Sequence, residues 1–176
     1  MKKANITEIF SSIQGEGLYA GVKQVFVRFA GCNMACVWCD TPLKNAQGKE
    51  YCVKEVAQKI KKLNKNCHSV SLTGGEPLLY KNFIQELVPL IKKMKLKVYL
   101  ETNGILYKEL KDIIKDVDIV AMDFKLPSST KEKPYWKEHE EFLKIAWCKE
   151  VFVKAVVSKE TKREDIQKAL KIIHLI

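Results

Sequence analysis

Two hydrophobic periods alternate along this chain, and that alternation limits the fold more than any single motif. The segments QVFVRFA (24–30), SVSLTG (69–74), KVYLET (97–102), DIVAMDF (118–124) and EVFVKAVV (150–157) are short, rich in β-branched and aromatic residues, and mostly apolar on both faces. That is the pattern of strands buried within a parallel sheet. Between them lie helical stripes. Val53, Val56, Ala57, Ile60 and Leu63 recur at spacings of three and four, as do Phe83, Leu87, Leu90, Ile91 and Met94. The second stripe opens with the capping pair Asn82 and Gln85 and contains Pro89, where a kink or break is expected. Further helices are expected over 107–115, 138–146 and 161–173, the last opened by Thr161 and Glu164. Strand followed by helix, repeated, requires right-handed crossovers and hence a parallel α/β architecture. A closed eight-stranded barrel takes about 250 residues, so 176 residues predict a single domain built as an open, partial parallel β/α barrel of about six strands.

Composition excludes several function classes. With 47% hydrophobic and 30% charged residues, the chain is neither disordered nor membranous. MKKANITEIF has no apolar stretch behind its basic start, and no apolar run approaches the ~20 residues of a membrane helix. The expectation is therefore a cytoplasmic protein without a membrane partner, in which the six cysteines stay reduced and clustered ones bind metal. The formal charge of +10 raises nucleic acid as a partner. Only Arg28 and Arg163 are arginines, however, and lysine pairs along helical faces read as solvated surface. The interleaving of aromatic and basic residues used by nucleic-acid-binding modules is missing.

Ligands of such folds bind at the C-terminal ends of the strands. The unusual residues fall there: Gly31-Cys32, GGEP (74–77), Thr102-Asn103-Gly104 and Asp123-Phe124-Lys125. In GCNMACVWCDT (31–41), Cys32, Cys36 and Cys39 sit close enough to converge on one centre. Zinc would need a fourth ligand from Asp40 or from Cys52, Cys67 or Cys148, and no second cysteine pair exists. His68, His139 and His174 show no ligand spacing. A four-iron cluster held by three thiolates leaves one iron open to a small molecule.

Cys-x3-Cys-x2-Cys with Trp38 before the last cysteine, followed by GGEP after a strand, resembles the radical S-adenosylmethionine (SAM) superfamily. IFSSIQGEGLYAG, FVRFAGC, CDT and DFKLPSS further resemble the 7-carboxy-7-deazaguanine synthases, from about Ile6 to Lys154. The resemblance implies a [4Fe-4S] cluster on Cys32, Cys36 and Cys39, whose open iron chelates SAM and whose electron cleaves it to an adenosyl radical. It implies a SAM site lined by Trp38, Cys39, Asp40, Gly75, Asp123, Phe124 and Lys125. Ile13, Gln14, Gly15, Arg28 and Thr73 would bind a pterin, Arg28 pairing with its carboxylate, and Thr41 would ligate Mg2+. The implied reaction converts 6-carboxy-5,6,7,8-tetrahydropterin to 7-carboxy-7-deazaguanine with loss of ammonia, in queuosine and 7-deazapurine biosynthesis. SAM would be regenerated, and no protein side chain need act as acid or base. An electron donor such as flavodoxin or ferredoxin and a homodimer are implied too. Glu16, Glu101 and Lys154 face the same rim, with roles left open. Family members continue past a final strand with a Gln-Pro pair, so HLI (174–176) is expected to begin that strand in a truncated chain.

Two rival functions stay open on sequence: an activase that places a radical on a partner enzyme, and a zinc-stabilised nucleic-acid-binding module. An activase has no use for SIQGEG, Arg28 and CDT. Bland readings also stand beside the sharp ones. These are a plain glycine loop at 14–17, an ion-paired strand arginine at Arg28, a cap at Thr41 and a turn at Asn103-Gly104.

Overall fold

Alternate residues of a strand point to opposite faces, and this parity organises the computed structural model, which describes residues 2–39 and 48–176. Seven strands form one sheet: β1 (Lys3–Ile13), β2 (Lys23–Phe29), β3 (Lys49–Cys52), β4 (Ser69–Gly74), β5 (Lys97–Thr102), β6 (Ile119–Asp123) and β7 (Glu150–Lys154). Their order is β3-β1-β2-β4-β5-β6-β7. Strands β2 and β4 to β7 run parallel, whereas β1 and β3 add an antiparallel extension at one side. Val25, Val27, Val70, Leu72, Val98, Leu100, Val120 and Met122 face the helices. There they bury the apolar stripes of α1 (Val53–Leu63), α2 (Lys81–Lys93), α3 (Tyr107–Ile113), α5 (Trp136–Ala146) and α6 (Arg163–His174). The short α4 (Pro127–Thr130) lies between β6 and α5.

The opposite parity lines the inner face. Tyr99, Ile119 and Ala121 form a small second core with Tyr19 and Phe152. Toward the C-terminal ends that face turns polar, with Arg28 beside Thr73 and Asp123 beside Lys154 in the strand register. The turn at Gly17–Tyr19 packs onto this face: Gly17 has φ +68°, and a Cβ there would come within 2.5 Å of the Phe152 ring. Gly17→Ala is expected to cost about 1–3 kcal/mol from the left-handed backbone alone, read as a lower urea midpoint.

Several sequence expectations shift. The sheet has seven strands rather than about six, because β1 and β3 are added to the five apolar segments. Strand β1 buries only Ala4 and Ile6, and β3, KEYC, buries none of its residues, so neither carries an apolar run. Helix α2 continues through Pro89. Burial of Leu87, Val88 and Ile91 around it outweighs the ~3 kcal/mol that an interior proline costs. Asn82 makes no cap, since α2 starts directly from the turn Pro77–Tyr80. Thr161 accepts from the Ser158 N–H at 2.8 Å instead of capping α6. Residues 174–176, expected as a strand start, are the end of α6 and the residues after it. No helix among the described residues is long and apolar enough to cross a membrane.

Candidate active site

The C-terminal ends of the strands surround a cavity of about 480 Å³. Its first wall comes from the β1–β2 loop. Gln14 N donates to Val22 O and Gly21 N to Gln14 O, both at 2.8 Å, closing the loop so that the buried Gln14 side chain points inward. Gln14 Nε2 donates to Glu101 Oε1 at 2.7 Å. Glu101 also accepts from Ser71 Oγ at 3.0 Å and Thr73 Oγ1 at 3.1 Å, while Lys154 approaches to 3.9 Å. Lys154 pairs in turn with Glu16, binding the last strand to the first loop. Arg28 donates from Nε to Glu8 Oε2 at 3.1 Å, its neighbour across β1. Arg28 also lines the cavity.

The cysteine loop forms the second wall. Gly31, at φ +82°, turns the chain out of β2. Ala35 N donates to Glu132 Oε1 at 2.8 Å, Val37 N to Thr130 O at 3.2 Å and Trp38 Nε1 to Ser129 Oγ at 3.0 Å, so α4 and the residues after it hold the loop. Lys125 Nζ sits 4.6 Å above the Trp38 ring. Cys32, Cys36 and Cys39 all line the same cavity. Burial pushes the Cys36 thiol up to about 11 and raises Cys32 as well, so neither ionises near neutrality without a metal to hold the thiolate.

GGEP joins the two walls. Gly75 N donates to Phe29 O at 3.0 Å and Glu76 N to Gly31 O at 2.8 Å. Gly75 lies so close to Gly31 that a Cβ would overlap the Gly31 carbonyl and approach Cys32 Cβ to 3.2 Å. Glu76 is fully buried. Its Oε1 accepts from Leu78 N at 3.0 Å and Thr102 Oγ1 at 2.9 Å, and its Oε2 from Asn103 N at 2.9 Å. Burial nevertheless pushes this carboxyl up to about 7. Behind it His139, also fully buried, bonds through Nε2 to Asn103 O at 3.1 Å. Desolvation drives its pKa down to about 4, so the ring is neutral and donates to that carbonyl. On β6, Asp123 accepts from Lys125 Nζ at 2.6 Å through Oδ2, while the buried Oδ1 has no partner among the described residues.

Of the residues expected from sequence, Gln14, Gly15, Arg28, Cys32, Cys36, Trp38, Cys39, Thr73, Gly75, Asp123 and Lys125 line the cavity. Glu16, Glu101 and Lys154 do too. The side chain of Ile13 does not, being 62% exposed. Nor does that of Phe124, which is buried against His139 and Trp136 with ring centroids 4.2 and 6.0 Å away. Asp40 and Thr41 lie outside the described residues. Sequence assigns no role at the site to Glu76, Asn103, Ser129 or Glu132. Glu76 stood in view inside GGEP and Asn103 inside TNG, whereas nothing local marks Ser129 or Glu132.

These residues fit an iron–sulfur cluster better than a single ion. Three cysteines share the cavity, yet among the described residues no three His, Cys, Asp or Glu side chains come together as a mononuclear metal site requires. The distant thiols proposed for zinc are elsewhere: Cys67 bonds Ser11 at 3.4 Å, Cys148 bonds Ile145 O at 3.4 Å, and Cys52 precedes α1. The glycine cradle and the unpartnered Asp123 Oδ1 leave room and an acceptor for a polar cofactor beside the thiols.

An open parallel sheet with such a thiol loop at its rim defines a class, and the family model described as the radical SAM superfamily matches residues 26–174. The chain belongs to that superfamily. It is 37% identical to the 7-carboxy-7-deazaguanine synthase of Geobacter sulfurreducens, over 97% of this chain and 76% of that protein. To the 7-carboxy-7-deazaguanine synthase of Clostridium acetobutylicum it is 38% identical, over 96% and 73%. Within the superfamily, the chain therefore belongs to the 7-carboxy-7-deazaguanine synthase family. The crystal structure of QueE from Escherichia coli shares the fold, with a TM-score of 0.70 at 21% identity over 99% of this chain and 79% of that one.

Proposed function

We propose that this chain is a radical SAM lyase that contracts 6-carboxy-5,6,7,8-tetrahydropterin to 7-carboxy-7-deazaguanine with release of ammonia. The observation that carries this reading is a single cavity in which Arg28, Gln14 and Thr73 face three cysteines. Cys32, Cys36 and Cys39 would hold the [4Fe-4S] cluster, and the Gly74-Gly75 backbone, with Asp123 and Lys125, would receive SAM. When bound, cluster and cofactor supply the radical that removes a hydrogen atom from the substrate.

The remaining work is positioning. Arg28 directs its NH2 groups at the substrate carboxylate, a two-point contact that lysine cannot copy. Glu101 does not need to touch substrate to matter, because it fixes both Gln14 and Thr73. The Glu16–Lys154 pair ties the β1–β2 loop to β7 beside them. Magnesium on Thr41, SAM contacts from Asp40, a flavodoxin or ferredoxin donor, a homodimer and a cytoplasmic setting belong to the same proposal, on sequence grounds.

The test is iron and sulfide content after anaerobic reconstitution, compared with Cys36→Ala, followed by the pterin assay. About four irons per chain, lost in the variant, with product formed, is the expected result. A colourless protein holding one zinc would sink the reading. Arg28→Ala should raise KM roughly 10-fold or more, the scale of a hydrogen bond to a charged group. Stability should fall by under about 1 kcal/mol, because the pair with Glu8 is partly exposed.

A further inference from the structure

We propose that Asn103 is a positioning residue for the iron–sulfur cluster: its side-chain amide donates to Cys32 Sγ, orients that thiolate and raises the reduction potential of the cluster it holds. The inference rests on reading Cys32 as a cluster ligand. Asn103 directly follows β5, lines the cavity and is only 4% exposed. Its other polar atoms are all committed. The backbone N–H donates to Glu76 Oε2 at 2.9 Å, the carbonyl accepts from His139 Nε2 at 3.1 Å, and Oδ1 accepts from Ile105 N at 3.2 Å. The last contact fixes which way the amide points, since a flipped NH2 would face the Ile105 N–H. Nδ2 is thereby aimed at Asn33 Oδ1, 2.7 Å away, and Cys32 Sγ, 3.8 Å away.

An N–H directed at a ligating sulfur stabilises negative charge there, and a reduced cluster carries one electron more than an oxidised one. The donor therefore favours reduction. Two backbone anchors and one side-chain anchor hold it, so it needs no reorganisation when the charge arrives. The partners Glu76 and His139 are buried polar groups, costly unless bonded. Both bond the Asn103 backbone.

The test is an EPR-monitored redox titration of the reconstituted full chain and of Asn103→Asp, Asn103→Ala and Thr102→Val. Thr102→Val removes a partner of Glu76 without touching Cys32, so it reports what loosening the network does by itself. Expected are retained iron and, for both Asn103 variants, roughly a tenfold fall in the reduced-to-oxidised ratio at fixed potential, about 59 mV for one electron. The midpoint of Thr102→Val should stay near the parent. Unmoved midpoints in iron-loaded Asn103 variants, or an equal shift in Thr102→Val, overturn the proposal and leave the proposed function standing. An iron-free parent overturns the proposed function itself. Should the Asn103 variants not fold, the reduced parent enriched in side-chain-amide 15N-asparagine decides: a hyperfine coupling to that nitrogen is expected, and its absence overturns the proposal.

Discussion

Glu76→Gln should lower unfolding free energy by about 2–3 kcal/mol, the cost of a buried donor left without an acceptor. Both oxygens of Glu76 receive backbone N–H groups that cannot turn away, Leu78 N on one and Asn103 N on the other. A glutamine must set its NH2 against one of them. Protonated glutamic acid avoids this, because its hydroxyl oxygen still accepts. The deficit is therefore largest near pH 4.5, where the folded parent holds this carboxyl protonated, and it narrows as pH rises toward 7, as urea unfolding would record. A midpoint unchanged from the parent would mean that this carboxyl does not join β4 to β5.

The same group gives a pH signature. Its folded pKa of about 7 lies above the ordinary 4.5, so its contribution is full below pH 4.5 and is lost as pH rises toward 7, by roughly 3 kcal/mol. His139 slopes the other way. Its folded pKa of about 4 lies below the ordinary 6.5, so stability from its neutral ring is present above pH 6.5 and is lost as pH falls toward 4. The two nearly cancel between pH 4.5 and 6.5. Parent stability should be almost flat there, whereas Glu76→Gln should gain stability steadily as pH rises. A flat variant would contradict this.

Gly75→Ala should be still more damaging, at about 3 kcal/mol or more, with most of the reconstituted iron lost. The new methyl group would meet the Gly31 backbone rather than a side chain that could swing aside. Gly31 directly precedes Cys32, and Glu76 N is bonded to its carbonyl. Any backbone retreat would therefore drag the thiol loop. Gly15→Ala is the contrast: nothing lies within 4 Å of a Cβ there, so thermal unfolding should hardly change. Equal melting temperatures and iron contents for Gly75→Ala and the parent would refute the close approach.

What was legible in the sequence follows from how local each signal is. Strands β2 and β4 to β7 announce themselves because both faces are covered, whereas β1 and β3 carry polar residues that pattern alone assigns to loops. The thiol triplet is legible because its spacing is local. The pairing of Arg28 with Glu8 is hidden until β1 is known to lie beside β2. The hub at Glu101 likewise depends on strand order, since Gln14, Ser71 and Thr73 reach it from two other elements. A motif also gives a position without a side. In Asp123-Phe124-Lys125 the outer two residues face the cavity, and the middle one turns into the core beside His139 and Trp136.

The contact between Glu16 and Lys154 joins residues 138 positions apart in the chain. A pairing so distant carries a large loop-closure cost, and topologies built from such pairings fold slowly. Ribosomes add about 5–20 residues per second, so a nascent chain displays its three rim thiols for on the order of ten seconds before Lys154 exists to close the ring. Throughout that interval the thiols would stand in half a cavity, open to oxidants and stray metals, and the reducing state of the surroundings would have to protect them until the last strand docks.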